Sequence, residues 1–353
     1  MTHTEMPDRP AAAGKAAEPK QAGGLNAISG FLRDFNTMRE GAGLLERYAG
    51  VILLVVLIIV FSVVTSHFLT SANFLGIAQN QAIQAVLSIG LLFPLASGVF
   101  DVSVSGSMTL AVVFVTEMFQ GTSGAMPIWG AVLLTLVVMV LAGLVNGLLV
   151  VRVGIDPFVA TIGTGSVLQG IAEAMGNGQT IISHIPQGFV KFGIAKWFGL
   201  PVNVLIVLGL AVTVWYVLAQ TPLGRAIYAT GAAREAARLA GIRTSRVVIS
   251  AYVLSAVGAG IAGILFAAGE GAGPPDTGTA FLLPAYATVF LGATIIRPGR
   301  FNIWGLIIAI LIIAVGINGL ELLGTPFWVQ DLFEGAALIA AVALTRLRAN
   351  ATR

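Results

Sequence analysis

The chain has 353 residues, of which 57% are hydrophobic and only 10% charged, against roughly a quarter charged in soluble domains. So few charges cannot supply the polar surface that a globular core of this length needs, and the long unbroken apolar runs do not alternate as β-barrel strands do. The class is an all-α polytopic membrane protein; the net charge of +3 is explained by where the basic residues fall, so nucleic acid is not expected as a partner.

Residues 1–24 are rich in Ala, Pro, Lys and Glu without an apolar period, the pattern of a disordered tail. Leu25, Ile28, Phe31, Leu32, Phe35 and Met38 then share one helical face, which predicts a short amphipathic helix on the membrane surface. A crossing takes about 20 mostly apolar residues. Ten stretches qualify: 48–66, 76–97, 102–119, 128–151, 157–175, 202–219, 247–268, 282–296, 303–323 and 327–345. The organisation is thus a cytoplasmic tail over 1–47, a membrane domain over 48–345 and a short tail at 346–353. Only SGVFD parts the second span from the third, which puts their break at membrane depth. The fifth holds TIGTGS and Glu173, a pattern that invites a break. Small residues four apart, Gly143 with Gly147 and Ala259 with Gly263, suit close helix packing in lipid.

Basic residues mark the cytoplasmic side. With the N-terminus inside, ten spans place all of the 19 lysines and arginines there except Lys191 and Lys196, in the 176–201 loop. Both termini are then cytoplasmic. There is no cysteine, and His3, His67 and His184 have no metal-ligand spacing, so neither a metal nor thiol chemistry is expected.

The largest internal cytoplasmic loop, 220–246, contains Arg225, Arg234, Glu235, Arg238, Arg243 and Arg246. Strong helix formers over 232–240 predict a helix about 13 Å long. Thr230 is its expected N-cap, and Gly241 its C-terminal stop. So short a helix is marginal alone. Its small-residue surface suits docking into a partner's groove; alternatively the loop is solvated and its arginines only set topology.

GRAIYATGAAREAARLAGI (224–242), GVFDVSVSGSM (98–108), GLVNGLLVVRVGIDPFVATIGT (143–164) and NGLELLG (318–324) resemble, in order, the motifs of permease subunits of ribose-type monosaccharide ABC importers. The resemblance spans roughly 48–345. It implies a type II ABC importer-like fold in which the Glu-Ala-Ala run forms a coupling helix entering a cleft of a separate nucleotide-binding ATPase subunit. Arg234, Glu235, Ala236, Ala237, Arg238 and Gly241 would make that contact, with Arg297, Pro298 and Arg300 as a smaller second one. It also implies a soluble substrate-binding protein, a second permease subunit, and ATP and Mg on the ATPase alone, with no cofactor in this chain. Two departures bear on substrate class: Ser105 stands where the family commonly has Gly, and IIRPGRFN (295–302) replaces a Gly-rich run.

The chain has no phosphate-binding Gly-x-x-x-x-Gly-Lys-Ser/Thr run and no evident nucleophile–base pair, so a non-enzymatic transport subunit is expected. Polar groups within spans mark pathways, since they are costly in lipid. Asn80, Gln81, Gln84, Asp101, Asn146, Gln169, Glu173 and Asn318 are the candidates. Amides without an intramembrane arginine favour a neutral sugar. An ion-coupled secondary transporter would need a charged mid-membrane relay, for which only Asp101 and Glu173 offer themselves; a nucleoside permease is the other alternative.

Overall fold

The computed structural model describes residues 48–120 and 126–351, with side chains through 343. The tail and surface helix expected within 1–38 lie outside the described residues. The membrane domain opens with α1 (Tyr48–Val64), then α2 (Ser71–Ala96), α3 (Val104–Glu117) and α4 (Ile128–Leu148). A π-helical turn over Leu149–Val153 ends α4 at left-handed Gly154. α5 (Pro157–Met175) follows, then a short α6 (Gln187–Ile194) and a two-stranded antiparallel hairpin, β1 (Lys196–Trp197) with β2 (Leu200–Pro201). α7 (Val202–Gln220) leads through the small helices α8 (Pro222–Ala232) and α9 (Arg234–Leu239) to α10 (Thr244–Glu270). α11 (Thr277–Gly292), α12 (Ile303–Leu322) and α13 (Trp328–Ala351) complete the domain.

Five of these helices, α2, α4 with its π turn, α7, α10 and α12, are long and apolar enough to cross a membrane; α1, α3 and α11 are apolar but shorter. Every stretch expected as a span is helical over most of its length. The fifth is not broken. α5 runs uninterrupted through its glycines because Asp156 caps it, accepting from the Phe158 and Val159 N–H groups at 3.0 and 3.3 Å, with Pro157 fixed at the first helical position. The break between the second and third spans is real and covers 97–103.

α10 is the central helix. It packs against α2, α3 and α4, and Tyr252, Ala256, Ala259 and Ala262 are buried along it. Both expected small-residue pairs lie at these crossings. A methyl on Gly143 would stand 2.6 Å from the Val253 Cα, and one on Gly263 2.6 Å from the Met108 carbonyl. The backbones therefore approach as closely as lipid-embedded helices allow.

Loop contacts sort the helix ends into two groups. On one side, Gly98 in the α2–α3 break lies against Gly231 of α8, and the Tyr228 hydroxyl donates to the Phe301 carbonyl at 2.8 Å in the α11–α12 connection. On the other, Ile181 pairs with Gly273, Gln120 bonds Ser183, and Asn73 pairs with Asn318.

Candidate functional site: a projecting helix above a polar hub

α7 passes into α8 at Thr221. Its Oγ1 donates to the Val217 carbonyl at 2.6 Å and accepts from the Gly224 N–H at 3.3 Å, while Pro222 supplies a preset first helical residue. Thr230 is not the cap expected of it. It is buried inside α8 and its hydroxyl returns to the Ala226 carbonyl at 2.7 Å. The helix expected at 232–240 is also divided: Ala233 is extended at φ −158° and ψ 92°, ending α8 and starting the six-residue α9. A side-chain cap is absent at this start.

Along α9, Arg234, Glu235, Ala236 and Arg238 are exposed, and Ala237 alone is buried. Leu239 is 84% exposed, a large apolar side chain held out on an otherwise charged segment. Arg238 pairs with Glu235 at 2.9 Å; between two exposed groups such a pair contributes at most about 1 kcal/mol. Gly241 does stop the helix. It sits at φ +85°, its N–H reaches the Arg238 carbonyl at 3.0 Å, and the Ile242 N–H reaches the Ala237 carbonyl at 3.0 Å. Those two bonds are a Schellman motif, which only a left-handed residue permits.

Beneath this arm lies the α2–α3 break. Asp101 is 1% exposed. Its Oδ1 accepts from the Ser103 N–H at 3.1 Å and from the Ser103 hydroxyl at 2.5 Å. Ser103 Oγ in turn accepts from Asn146 Nδ2 of α4 at 2.7 Å, and Asn146 Oδ1 accepts from the Thr164 hydroxyl of α5. The Asp101 N–H donates to the Tyr286 hydroxyl of α11 at 3.1 Å, the Val102 N–H to Thr161 of α5 at 3.1 Å, and the Tyr252 hydroxyl of α10 to the Phe100 carbonyl at 3.0 Å. One irregular segment is thus pinned to α4, α5, α10 and α11. Ser255 Oγ faces the carboxylate without hydrogen-bond geometry, and both it and Asp101 Oδ2 have no hydrogen-bond partner.

The expected pathway residues do not form one constellation. Asp101 and Asn146 meet in this hub. Gln84 donates to Thr288 at 3.2 Å, a buried α2–α11 tie. Gln169 donates to Glu173 at 3.0 Å and to the Pro275 carbonyl at 2.6 Å, and Glu173 is exposed at the far end of α5. Asn318 exchanges amide bonds of 2.9 and 3.0 Å with Asn73. Asn80 is exposed, and Gln81 is half-buried in an apolar groove. Sequence reasoning missed Ser103, Thr161, Thr164, Tyr252 and Tyr286. The Asp-x-Ser spacing, and Tyr252 and Tyr286 lying inside apolar runs, were the available signals.

Comparison with known proteins agrees with this architecture. Residues 73–342 match the model of a family described as the branched-chain amino acid transport system permease component. The chain belongs to that family. It is 31% identical over 305 residues to the ribose import permease of Bacillus subtilis, covering 86% of this chain and 94% of the relative. The D-allose transport permease of Escherichia coli is 29% identical, over 86% of this chain and 92% of its own. An autoinducer 2 import permease of Yersinia pseudotuberculosis is 30% identical, over 82% and 88%. No solved structure matches. The protein is accordingly a multi-pass membrane permease.

Proposed function

We propose that the chain is the membrane-spanning subunit of an ATP-driven importer, forming the pathway for a neutral sugar, a ribose-like monosaccharide or polyol, across the cell's inner membrane. The observation that carries the reading is α9: six residues, all exposed but Ala237, glycine-stopped and joined through α8 to the α2–α3 break by the Gly231–Gly98 contact. A helix so short gains little from its own hydrogen bonds, so a groove on a separate ATPase subunit is the natural counterpart for Arg234, Glu235, Ala236, Ala237, Arg238 and Gly241. ATP and Mg reside on that partner. Closure of the partner displaces α8–α9 as a lever, and the hub around Asp101 passes the displacement to four helices at once.

The crossings number ten, α1 to α5, α7 and α10 to α13, with both termini cytoplasmic. The loop contacts above support this, since alternation puts 97–103, 220–246 and 293–302 together on one face. A second permease subunit covers α5, whose outer face carries Gly163, Ser166, Gly170 and Glu173, a stripe too polar for lipid. Asn80, Gln81, Gln84, Gln169 and Asn318 then serve partly as helix ties and partly as pathway lining. The 176–201 and 269–281 segments receive a soluble binding protein. Sugar rather than amino acid follows from the relatives' substrates and from the absence of lysine or arginine in the central turns of the ten crossing helices.

Reconstitution with and without the ATPase subunit tests the reading. Sugar uptake into vesicles is expected only when that subunit and ATP are both present. Uptake driven by an ion gradient alone would support the secondary-transporter reading instead.

A further inference from the structure

A groove runs along the junction of α7 and α12. In mid-membrane it is a cavity of about 170 Å³ with walls that include Ala82 and Ala85 of α2, Leu208 and Ala211 of α7, and Ile307 and Leu311 of α12. Further along the same two helix faces lies a second cavity of about 400 Å³, bordered by Trp215, Arg225, Tyr228, Arg297, Arg300 and Trp304. Ala211 and Trp215 are one turn apart, as are Ile307 and Trp304, so the two cavities share one face of each helix. The chemistry changes abruptly at the tryptophans, whose rings meet edge to face at 6.3 Å.

The polar end is positive and uncompensated. No carboxylate lines it. Arg300 lies 3.7 Å over the Tyr228 ring, and burial pushes the Tyr228 hydroxyl up despite the opposing charges of Arg300 and Arg297, which keeps that wall neutral. Arg225 makes only a 3.5 Å contact with the Gln220 carbonyl. The sole ion pair among the described residues belongs to Arg238 and Glu235.

An apolar slot, a pair of interfacial tryptophans and three guanidinium groups with no carboxylate beside them, in that order along the membrane normal, match one kind of molecule. From Val204 to Gln220 the groove follows α7 for about 24 Å at the helical rise, room for one leaflet's acyl chain and its headgroup. Tryptophan marks the headgroup level, and arginines there attract anionic headgroups. We propose that this groove holds an anionic phospholipid of the leaflet on the arginine-rich side, one acyl chain between α7 and α12 and the phosphate among Arg225, Arg297 and Arg300. A soluble ATPase subunit would suit the arginines but not the apolar half. The site is independent of which solute the permease moves.

The test uses the full chain, delipidated in neutral detergent, with phosphatidylglycerol, phosphatidylcholine or inorganic phosphate as probe, read by retained lipid in native mass spectrometry and by the thermal midpoint. Phosphatidylglycerol alone is expected to be retained and to raise the midpoint. The R225Q/R297Q/R300Q variant should bind it about 100-fold more weakly, a fewfold for each interfacial arginine. R243Q/R246Q, which removes as exposed a pair of charges elsewhere in the loop, should bind normally. A211F, which fills the slot and leaves every arginine, should also lose the lipid; R225Q alone, at an exposed position, gives a partial loss in a chain certain to fold. Equal retention by the triple variant and the parent overturns the proposal. So does equal protection by inorganic phosphate, which would mean a free-anion site, or lipid-independent dimers cross-linked through Leu208, which would put a second copy in the groove.

Discussion

At the scale of single residues, the contact on which the proposed coupling most depends has no side chain in it. Gly231 of α8 sits so close to the end of α2 that a methyl group there would collide with the Ala96 carbonyl, a backbone atom that has nowhere to go. Gly231→Ala should therefore push α8 off the α2–α3 break. We expect a loss of about 1–3 kcal/mol, the usual range for overpacking, and a larger proportional loss of uptake than of stability, because the lever would no longer bear on the hub. Gly209→Ala is the control: nothing lies within 4 Å of that position, and in a helix interior the change is neutral or mildly stabilising. Thermal unfolding and uptake measured on both variants check this. Equal behaviour of the two would show that the Gly231 contact is incidental. The hub itself predicts a second effect. Asn146→Leu removes the amide that joins Ser103 to Thr164, and should cost about 1–2 kcal/mol, the upper range for hydrogen bonds between membrane helices, in unfolding titrations.

At the scale of elements, α9 is unusual in being stable only because its ends are fixed. Gly241→Ala requires an alanine at φ +85°, a cost of about 1–2 kcal/mol that falls on the Schellman bonds alone. Coupled ATP hydrolysis should fall while insertion and global unfolding are unchanged. Gly241→Asn, which tolerates that conformation, should retain much of the activity. Glu235→Arg removes a surface ion pair of little intrinsic value, so a strong loss of ATPase-subunit association would come from the interface itself; normal pull-down with this variant would sink the docking assignment. The ten long helices were legible in sequence to within six residues at their ends, though α6 and α8 were not, because lipid leaves the backbone no other way to satisfy itself. Asp156-Pro157 even fixed the start of α5. What escaped was decided by packing between distant segments. Alanine is the best helix former, so nothing local announces the extended Ala233, and Thr230 mimics a cap while facing the interior of α8. The hairpin at 196–201 was missed for the opposite reason: its turn places Phe198 at φ 54° beside Gly199 at φ 80°, and Phe-Gly is not among the usual turn pairs. The polar candidates were recognised as costly in lipid, but Asn73 for Asn318 and Thr288 for Gln84 are partners more than 200 residues away, and have no sequence signal.

At the scale of the whole molecule, the positions of the loops follow from one alternation, and the chain allows a clean measurement of it. It contains no cysteine, so a single introduced thiol reports its own side of the membrane. Phe198 is 98% exposed at the tip of the hairpin and Leu239 is 84% exposed at the end of α9. Neither side chain is packed, so Phe198→Cys and Leu239→Cys should leave the fold intact. With an impermeant maleimide on spheroplasts, Phe198→Cys is expected to label at once, and Leu239→Cys only after permeabilisation. Adding the ATPase subunit to permeabilised membranes should then slow labelling at Leu239→Cys and leave Phe198→Cys unchanged, because only the first lies where the partner docks. The two halves separate the claims. Labelling of Leu239→Cys from outside overturns the ten-span alternation, whereas correct sidedness without protection leaves the topology standing and removes the coupling helix from it.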